Sequence, residues 1–306
     1  MSRPIVLVTG ASGLVGSRTL APLAGLGFEV QAIGRRPPPV AVDGFHPADL
    51  LDRRRVRAVL EAVRPTHLLH CAWYVAHGAF WSAPENVDWI AATAALARDA
   101  ADLGLVRFVG VGSCAEYDWS DGGARPRREH DRLAPATLYG RAKAATHSIL
   151  ADLLGPAGVS LAWARLFHLY GPGEPAGRLV PAVALALIEG REARTGPGEL
   201  RRDFMATAEA GAALAALLAS PVAGAVNVAS GVPATVAEVA WALGRLLGRP
   251  ELLRIGALEA RSGDPPAMLA DVRRLQLEVG FRSRHRLSEG LADCVSALKA
   301  SRADER

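Results

Sequence analysis

Along the first half of the chain, apolar positions switch repeatedly between two rhythms. Short β-branched runs alternate with longer stretches in which apolar residues recur every third or fourth position. The first rhythm predicts strands at 5–9, 29–33, 66–70, 106–112 and 159–166. The second predicts helices at 14–26, 53–63, 84–103 and 136–154, with Gly27 closing the first and Pro65 ending the second. Strands and helices that alternate at this spacing imply right-handed βαβ crossovers and a parallel, doubly wound sheet. After about residue 167 the rhythm breaks. Pro and Gly cluster at 171–175 and again at 195–198, and no internal repeat follows. The expected organisation is α/β: a Rossmann-type domain over 1–166, and a smaller, partly interleaved C-terminal substrate lobe over 167–306.

Composition narrows the class. A chain of 306 residues, half of them hydrophobic and with a formal net charge of +4, can bury a core and is not disordered. Its Arg excess is spread along an Ala-rich background. No long basic run marks a nucleic-acid or membrane partner, and Arg53-Arg54-Arg55 reads as the solvated start of a helix. Three cysteines, Cys71, Cys114 and Cys294, fit no disulfide or metal framework, so a reducing, cytoplasmic setting is expected and no metal is. The apolar run near the N-terminus ends in Gly and suits a buried strand better than a signal peptide. No stretch approaches the ~20 apolar residues of a membrane helix. The Ala-rich segment 206–219 contains Glu209 and Gly211 and reads as a core helix.

Candidate chemistry begins at Val8-Thr9-Gly10-Ala11-Ser12-Gly13-Leu14-Val15-Gly16. GxxGxxG spacing alone says little. Here it follows a buried strand and opens a helix, where Gly10 permits the turn, Gly13 lets a pyrophosphate approach and Gly16 lets helix and strand pack. The next strand ends Gly34-Arg35-Arg36, without the acid that would accept hydrogen bonds from a ribose 2′-hydroxyl. Two guanidiniums can instead clamp a 2′-phosphate, which favours NADP over NAD, although they can also be solvated loop charges.

About 125 residues further on lies Tyr139-Gly140-Arg141-Ala142-Lys143. The i, i+4 spacing puts Tyr139 and Lys143 on one helical face. A free phenol titrates near ~10, too high for work at neutral pH. An ammonium ~4 Å away is worth roughly 4 kcal/mol at an effective dielectric of 20, enough to lower it by up to about 3 units. Ser113 ends an apolar strand at the edge where open α/β folds bind ligands, and can orient a substrate oxygen or merely cap the chain. Cys114 beside it reads as pocket lining.

With these motifs the chain resembles the extended short-chain dehydrogenase/reductase family of nucleotide-sugar epimerases, dehydratases and reductases, over nearly its whole length. The resemblance implies cofactor contacts from Gly10, Ser12, Gly13, Leu14, Val15, Arg35, Arg36, Asp49, Leu50, Cys71, Ala72, Trp73, Asn86, Val111, Leu166, Phe167 and His168, with Tyr139 and Lys143. It implies substrate contacts from Ser113, Cys114, His168, Arg178, Leu179, Arg202 and Arg261, the arginines facing a diphosphate. His168 stands where the family usually has Asn. Ser113, Tyr139 and Lys143 fall at its catalytic positions.

A dehydratase of this family needs an Asp-Glu pair just after the catalytic hydroxyl, and here Cys114-Ala115 follows. The expected reaction is therefore NADPH-dependent reduction of an NDP-4-keto-6-deoxyhexose. An NAD-dependent NDP-sugar 4-epimerase is the alternative. A dinucleotide-binding protein without turnover, which would typically have lost Tyr139 or Lys143, is a distant third. By resemblance, a homodimer would form through a four-helix bundle built from helices 84–103 and 136–154.

Overall fold

The structure is a computed structural model that describes residues 3–260 and 263–304. The first half runs β1 (Ile5–Thr9), α1 (Gly16–Gly25), β2 (Glu29–Gly34), β3 (Gly44–Pro47), α2 (Arg53–Val63), β4 (His67–His70), α3 (Glu85–Asp102), β5 (Arg107–Ser113), α4 (Leu138–Leu154) and β6 (Ser160–Leu166). The second half runs β7 (His168–Tyr170), α5 (Leu179–Ile188), β8 (Ala193–Arg194), β9 (Arg201–Ala206), α6 (Thr207–Ala219), β10 (Gly224–Val228), β11 (Pro233–Thr235), α7 (Val236–Leu247), β12 (Leu253–Arg254), β13 (Ala267–Met268) and α8 (Leu287–Asp304).

Seven strands form one parallel sheet in the order β10-β6-β5-β4-β1-β2-β3. Its central strands are apolar on both faces, as a doubly covered parallel sheet requires: Val6, Leu7 and Val8 are all fully buried. One face packs against α1 and α6 through Leu20, Leu23, Ala210 and Leu214. The other packs against α2, α3 and α4 through Leu60, Ala97 and Leu150. The order reverses at β1, whose neighbours β2 and β4 lead in opposite directions, and the crevice beyond the strand ends there is where such sheets take ligands. A four-stranded sheet of β7, β9, β11 and β13 and the helices α5, α7 and α8 belong to the second half, whose core holds Val183, Leu187, Val239, Leu243 and Leu291. β10 crosses back to close the large sheet beside β6.

Two local readings change. The edge strand β3 has no apolar run to mark it, since it is three half-buried residues followed by the exposed Pro47. The arginines at the start of α2 are only partly a solvated face: Arg53 grips the buried Asp99 of α3 with two hydrogen bonds of 3.0 and 2.9 Å, and Arg57 adds a third at 3.3 Å. Among the described residues no helix is long and apolar enough to cross a membrane.

The glycines of β5 have a packing reason. Gly110 pairs with Trp163 of β6, and a methyl group on Gly110 or Gly112 would overlap the indole. Their missing side chains form the slot that holds Trp163, the largest fully buried residue. Gly112→Ala would also strike the Glu116 carboxylate. It is expected to destabilise the protein by about 1–3 kcal/mol, read as a lower urea midpoint with unchanged slope.

Candidate active site

The floor of the crevice is stapled by a buried polar chain. Thr9 Oγ1 meets His70 Nδ1 at 2.9 Å, His70 Nε2 meets Thr93 Oγ1 at 3.0 Å, and the Ala72 amide donates to Thr9 Oγ1 at 3.2 Å. Burial, aided by the Lys143 charge, pulls His70 down to about 3, so it serves this chain as a neutral ring. Above the staple, the Gly13 amide closes the turn onto the Gly10 carbonyl at 2.9 Å. Any side chain on Gly16 would overlap that carbonyl. α1 then starts behind Val15 with no side-chain cap; the Ser17 and Arg18 amides turn back onto the Gly13 and Val15 carbonyls, and the positive end of the helix dipole faces the turn. This cradle fits a dinucleotide pyrophosphate, with Ser12, Gly13 and Leu14 on its rim. Arg35 and Arg36 stand exposed just past β2, with no ion pair to either among the described residues. The Asp49 carboxylate accepts from the Leu51 amide at 3.0 Å, beside half-buried Leu50.

Tyr139 and Lys143 occupy the first turns of α4, whose N-cap is Thr137. The Tyr139 ring is met edge-on by Phe80 at 4.9 Å and Trp81 at 5.8 Å between centroids, and its amide donates to the Trp81 carbonyl. Lys143 is 2 % exposed. Its ammonium donates to the Val111 carbonyl at 2.8 Å and sits 3.7 Å from the centroid of the Trp73 ring. Asn86 fixes that indole by accepting from its N–H at 2.8 Å, while its own amide donates to Phe80 and Ala83 carbonyls. Cys71, at the end of β4, is a protonated thiol, pushed up to about 12 by burial.

One expectation is corrected here. The ammonium does not draw the phenol down: it lies 5.9 Å from the Tyr139 ring centroid and turns toward Val111 and Trp73. Burial instead raises Tyr139 above its ordinary range, and the Ser113 hydroxyl facing it only offsets part of that rise. Burial likewise pulls Lys143 down to about 7. Without ligand, then, the site holds a protonated phenol and an ammonium close to losing its proton.

Ser113 both caps and faces the site. Its Oγ accepts from the Ala115 amide at 3.1 Å, which leaves the hydroxyl proton for another partner. Its backbone is held from behind by Glu116, which accepts from the Ser113 amide at 2.8 Å, Trp163 Nε1 at 2.9 Å and Arg165 Nε at 2.7 Å. Arg165 also reaches the Tyr117 hydroxyl, which donates to Asn227 of β10 at 2.6 Å. This support was not foreseen from sequence. Its local part was readable, because Ser113-Cys114-Ala115-Glu116 has the S-x-x-E spacing of a capping box.

From the second half come His168, Arg178 and Arg202. His168 packs on Phe204 at 6.0 Å, and its buried Nδ1 has no hydrogen-bond partner among the described residues. Burial and the nearby Arg202 and Arg178 charges hold it down to about 3. Arg202 pairs with Asp264 at 2.7 Å, and its charge also reaches buried Cys114. Arg178 pairs with Glu174 at 2.8 Å, and its charge reaches Tyr139; Leu179 opens α5 beside it. Leu166 pairs with Ser113 across β5 and β6, and the Phe167 amide donates to Val228. Arg261 lies outside the described residues. The structure therefore brings Ser113, Tyr139, Lys143, Trp73, Asn86, His168, Arg178 and Arg202 into one neighbourhood. Arg35, Arg36 and Asp49 follow β2 and β3, toward the other end of the sheet order.

A nucleotide-binding turn feeding a Tyr/Lys/Ser cluster on a doubly wound sheet defines an extended short-chain dehydrogenase/reductase. The chain belongs to the NAD dependent epimerase/dehydratase family, whose model matches residues 6–229, and is a nicotinamide-dependent enzyme. It is 34% identical over 170 residues to a dTDP-4-keto-6-deoxy-D-glucose reductase of Streptomyces niveus, a match that spans 54% of each chain and so about half of that relative's length. It is 25% identical to a UDP-glucose 4-epimerase of Rhizobium meliloti (strain 1021) over 92% of this chain and 93% of that one. MoeE5, solved with UDP-glucose and NAD, superposes with a TM-score of 0.82 at 28% identity, covering 97% of this chain and 99% of that one.

The depressed Lys143 predicts a pH effect on stability. Its folded value near 7 lies below its unfolded one near ~10.4, so between these limits the unfolded chain binds the extra proton and stability rises with pH. Lys143→Met removes the buried charge. In cofactor-free protein it should be more stable than wild type at pH 6, and the gap should shrink steadily toward pH 10 in parallel denaturation series.

Proposed function

We propose that this enzyme reduces the ketone of an NDP-4-keto-6-deoxyhexose with NADPH. The observation that carries the reading is the placement of the Tyr139 phenol, enclosed edge-on by Phe80 and Trp81 and faced by the Ser113 hydroxyl, at the ligand edge of the sheet; burial there favours its protonated form. A phenol that keeps its proton suits donation to a developing alkoxide better than abstraction from an alcohol. When bound, the dinucleotide supplies a hydride to the carbonyl carbon. Ser113 donates a hydrogen bond to the carbonyl oxygen and fixes its position. Tyr139 passes its proton to that oxygen as negative charge gathers there. Lys143, turned to Val111 and Trp73, offers an ammonium that can hold the nicotinamide ribose hydroxyls. Arg178 and Arg202, with the unpaired nitrogen of His168, suit the diphosphate of the substrate. The Streptomyces niveus reductase supports this assignment, and exposed Arg35 and Arg36, with no acid at the end of β2, support NADPH.

A second reading, an NAD-dependent NDP-sugar 4-epimerase, is favoured by epimerases that align over more than nine-tenths of both chains. Stoichiometry separates the two. With a dTDP-4-keto-6-deoxy sugar, the reductase should oxidise one NADPH per alcohol formed, whereas the epimerase would interconvert UDP-sugars without net change in the dinucleotide. Tyr139→Phe should lower kcat by about 10²–10⁴-fold while dinucleotide binding persists. Arg35→Ser with Arg36→Ser should raise KM for NADPH by about 10–100-fold, the loss of charge-assisted contacts, and leave KM for NADH unchanged. An equal rise for both dinucleotides would count against a 2′-phosphate clamp.

A further inference from the structure

The Lys143 ammonium is buried, and no described carboxylate lies within ion-pairing distance of it. Enclosing such a charge is costly unless something offsets the lost water. Apart from the Val111 carbonyl, the close favourable contact is the face of Trp73 at 3.7 Å, well inside the ~6 Å over which an aromatic ring attracts a cation, and Trp is the strongest such ring.

The indole is held independently of the lysine. Asn86 accepts from its N–H, is itself anchored on two carbonyls, and Trp89 packs against it at 6.0 Å. The titratable groups around the ammonium are His70 and Cys71 from the end of β4, Glu116 from the turn after β5, and Tyr139 on its own helix. From α3 come Asn86, Trp89 and Thr93, none of which titrates. His70 is neutral, Cys71 is a thiol, and the Glu116 oxygens are taken by Ser113, Trp163 and Arg165.

We propose that Trp73 is a positioning residue that acts through Lys143, its π-face holding the ammonium in the site by direct contact where Glu116 acts on it only from a distance. This rests on the reading of Tyr139 and Lys143 as the reacting pair. The distinction from an ion pair matters chemically. A carboxylate in contact would hold the lysine but cancel its field, whereas a quadrupole holds it and leaves a full positive charge to act on ribose hydroxyls.

The test reads the affinity for NADPH against pH, from 5.5 to 10, through nicotinamide fluorescence. Wild type should lose affinity with a break as Lys143 deprotonates, and Lys143→Met should abolish that break. Trp73→Leu should move the break down by about one pH unit, the scale of a desolvated cation–π contact, and Trp73→Phe by less. Fluorinated tryptophans placed at position 73 alone keep the shape of the ring while draining its face. They should lower the break in step with the number of fluorines, even if Trp73→Leu does not fold. A break unmoved by fluorination but abolished by Lys143→Met would overturn the role of Trp73 alone. A break that survives Lys143→Met would overturn both this role and the reading of the reacting pair.

Discussion

The site depends on one buried ion pair, Glu116 with Arg165, at 2.7 Å and with both side chains almost fully enclosed. Such a pair is costly to bury unless its remaining hydrogen-bonding positions are filled. Here they are filled by the parts that must be fixed: the Ser113 amide, the Trp163 indole, the Tyr117 hydroxyl and the Glu129 carbonyl. Tyr117 carries the network to Asn227, whose amide donates to Arg127 and Asp271 carbonyls. The same two charges thus set the hydroxyl at the end of β5 and tie the nucleotide-binding half of the chain to the half that supplies the arginines.

Above that support the site is held away from its resting chemistry. The phenol is more reluctant to ionise than free tyrosine, and the lysine is less willing to stay charged than free lysine. Both shifts have one cause, exclusion of water. A bound ligand that brings hydroxyl groups to the lysine and a ketone to the phenol supplies the partners that solvent no longer does. The reorganisation is then done by folding and not by the reaction, which is how fixed dipoles lower barriers.

The parts of this design that were legible in the sequence share a property: they are local. Gly13 and Gly16 record a steric demand against the nearby Gly10 carbonyl, Gly10 records a left-handed turn, and the spacing of Tyr139 and Lys143 records a helix face. Spacing places Cβ atoms, however, and not the tip of a long side chain. Hence the ammonium, expected beside the phenol, turns instead to Val111 and Trp73. Glu116 lay beside a motif that was read, but its partner Arg165 is 49 residues away and meets it only through the pairing of β5 with β6. The glycines of β5 carry no visible reason within their own apolar run, and only the neighbouring strand shows that they make room for Trp163. The grip of Arg53 and Arg57 on Asp99 was equally invisible, being made between two helices.

The return of β10 to the large sheet has a consequence for synthesis. β6 is complete at Leu166, but its outer edge stays unpaired until residues 224–228 are available to run alongside it. At ~5–20 residues per second a ribosome leaves that edge open for seconds. During that interval the growing polypeptide displays a buried-type strand, with Leu161 and Trp163 in it, to whatever is nearby. Exposed strand edges recruit other strands. A nascent chain stalled in this window is therefore the form of the protein most in need of a chaperone, and the finished one, with β10 in place, carries no trace of the hazard along β6.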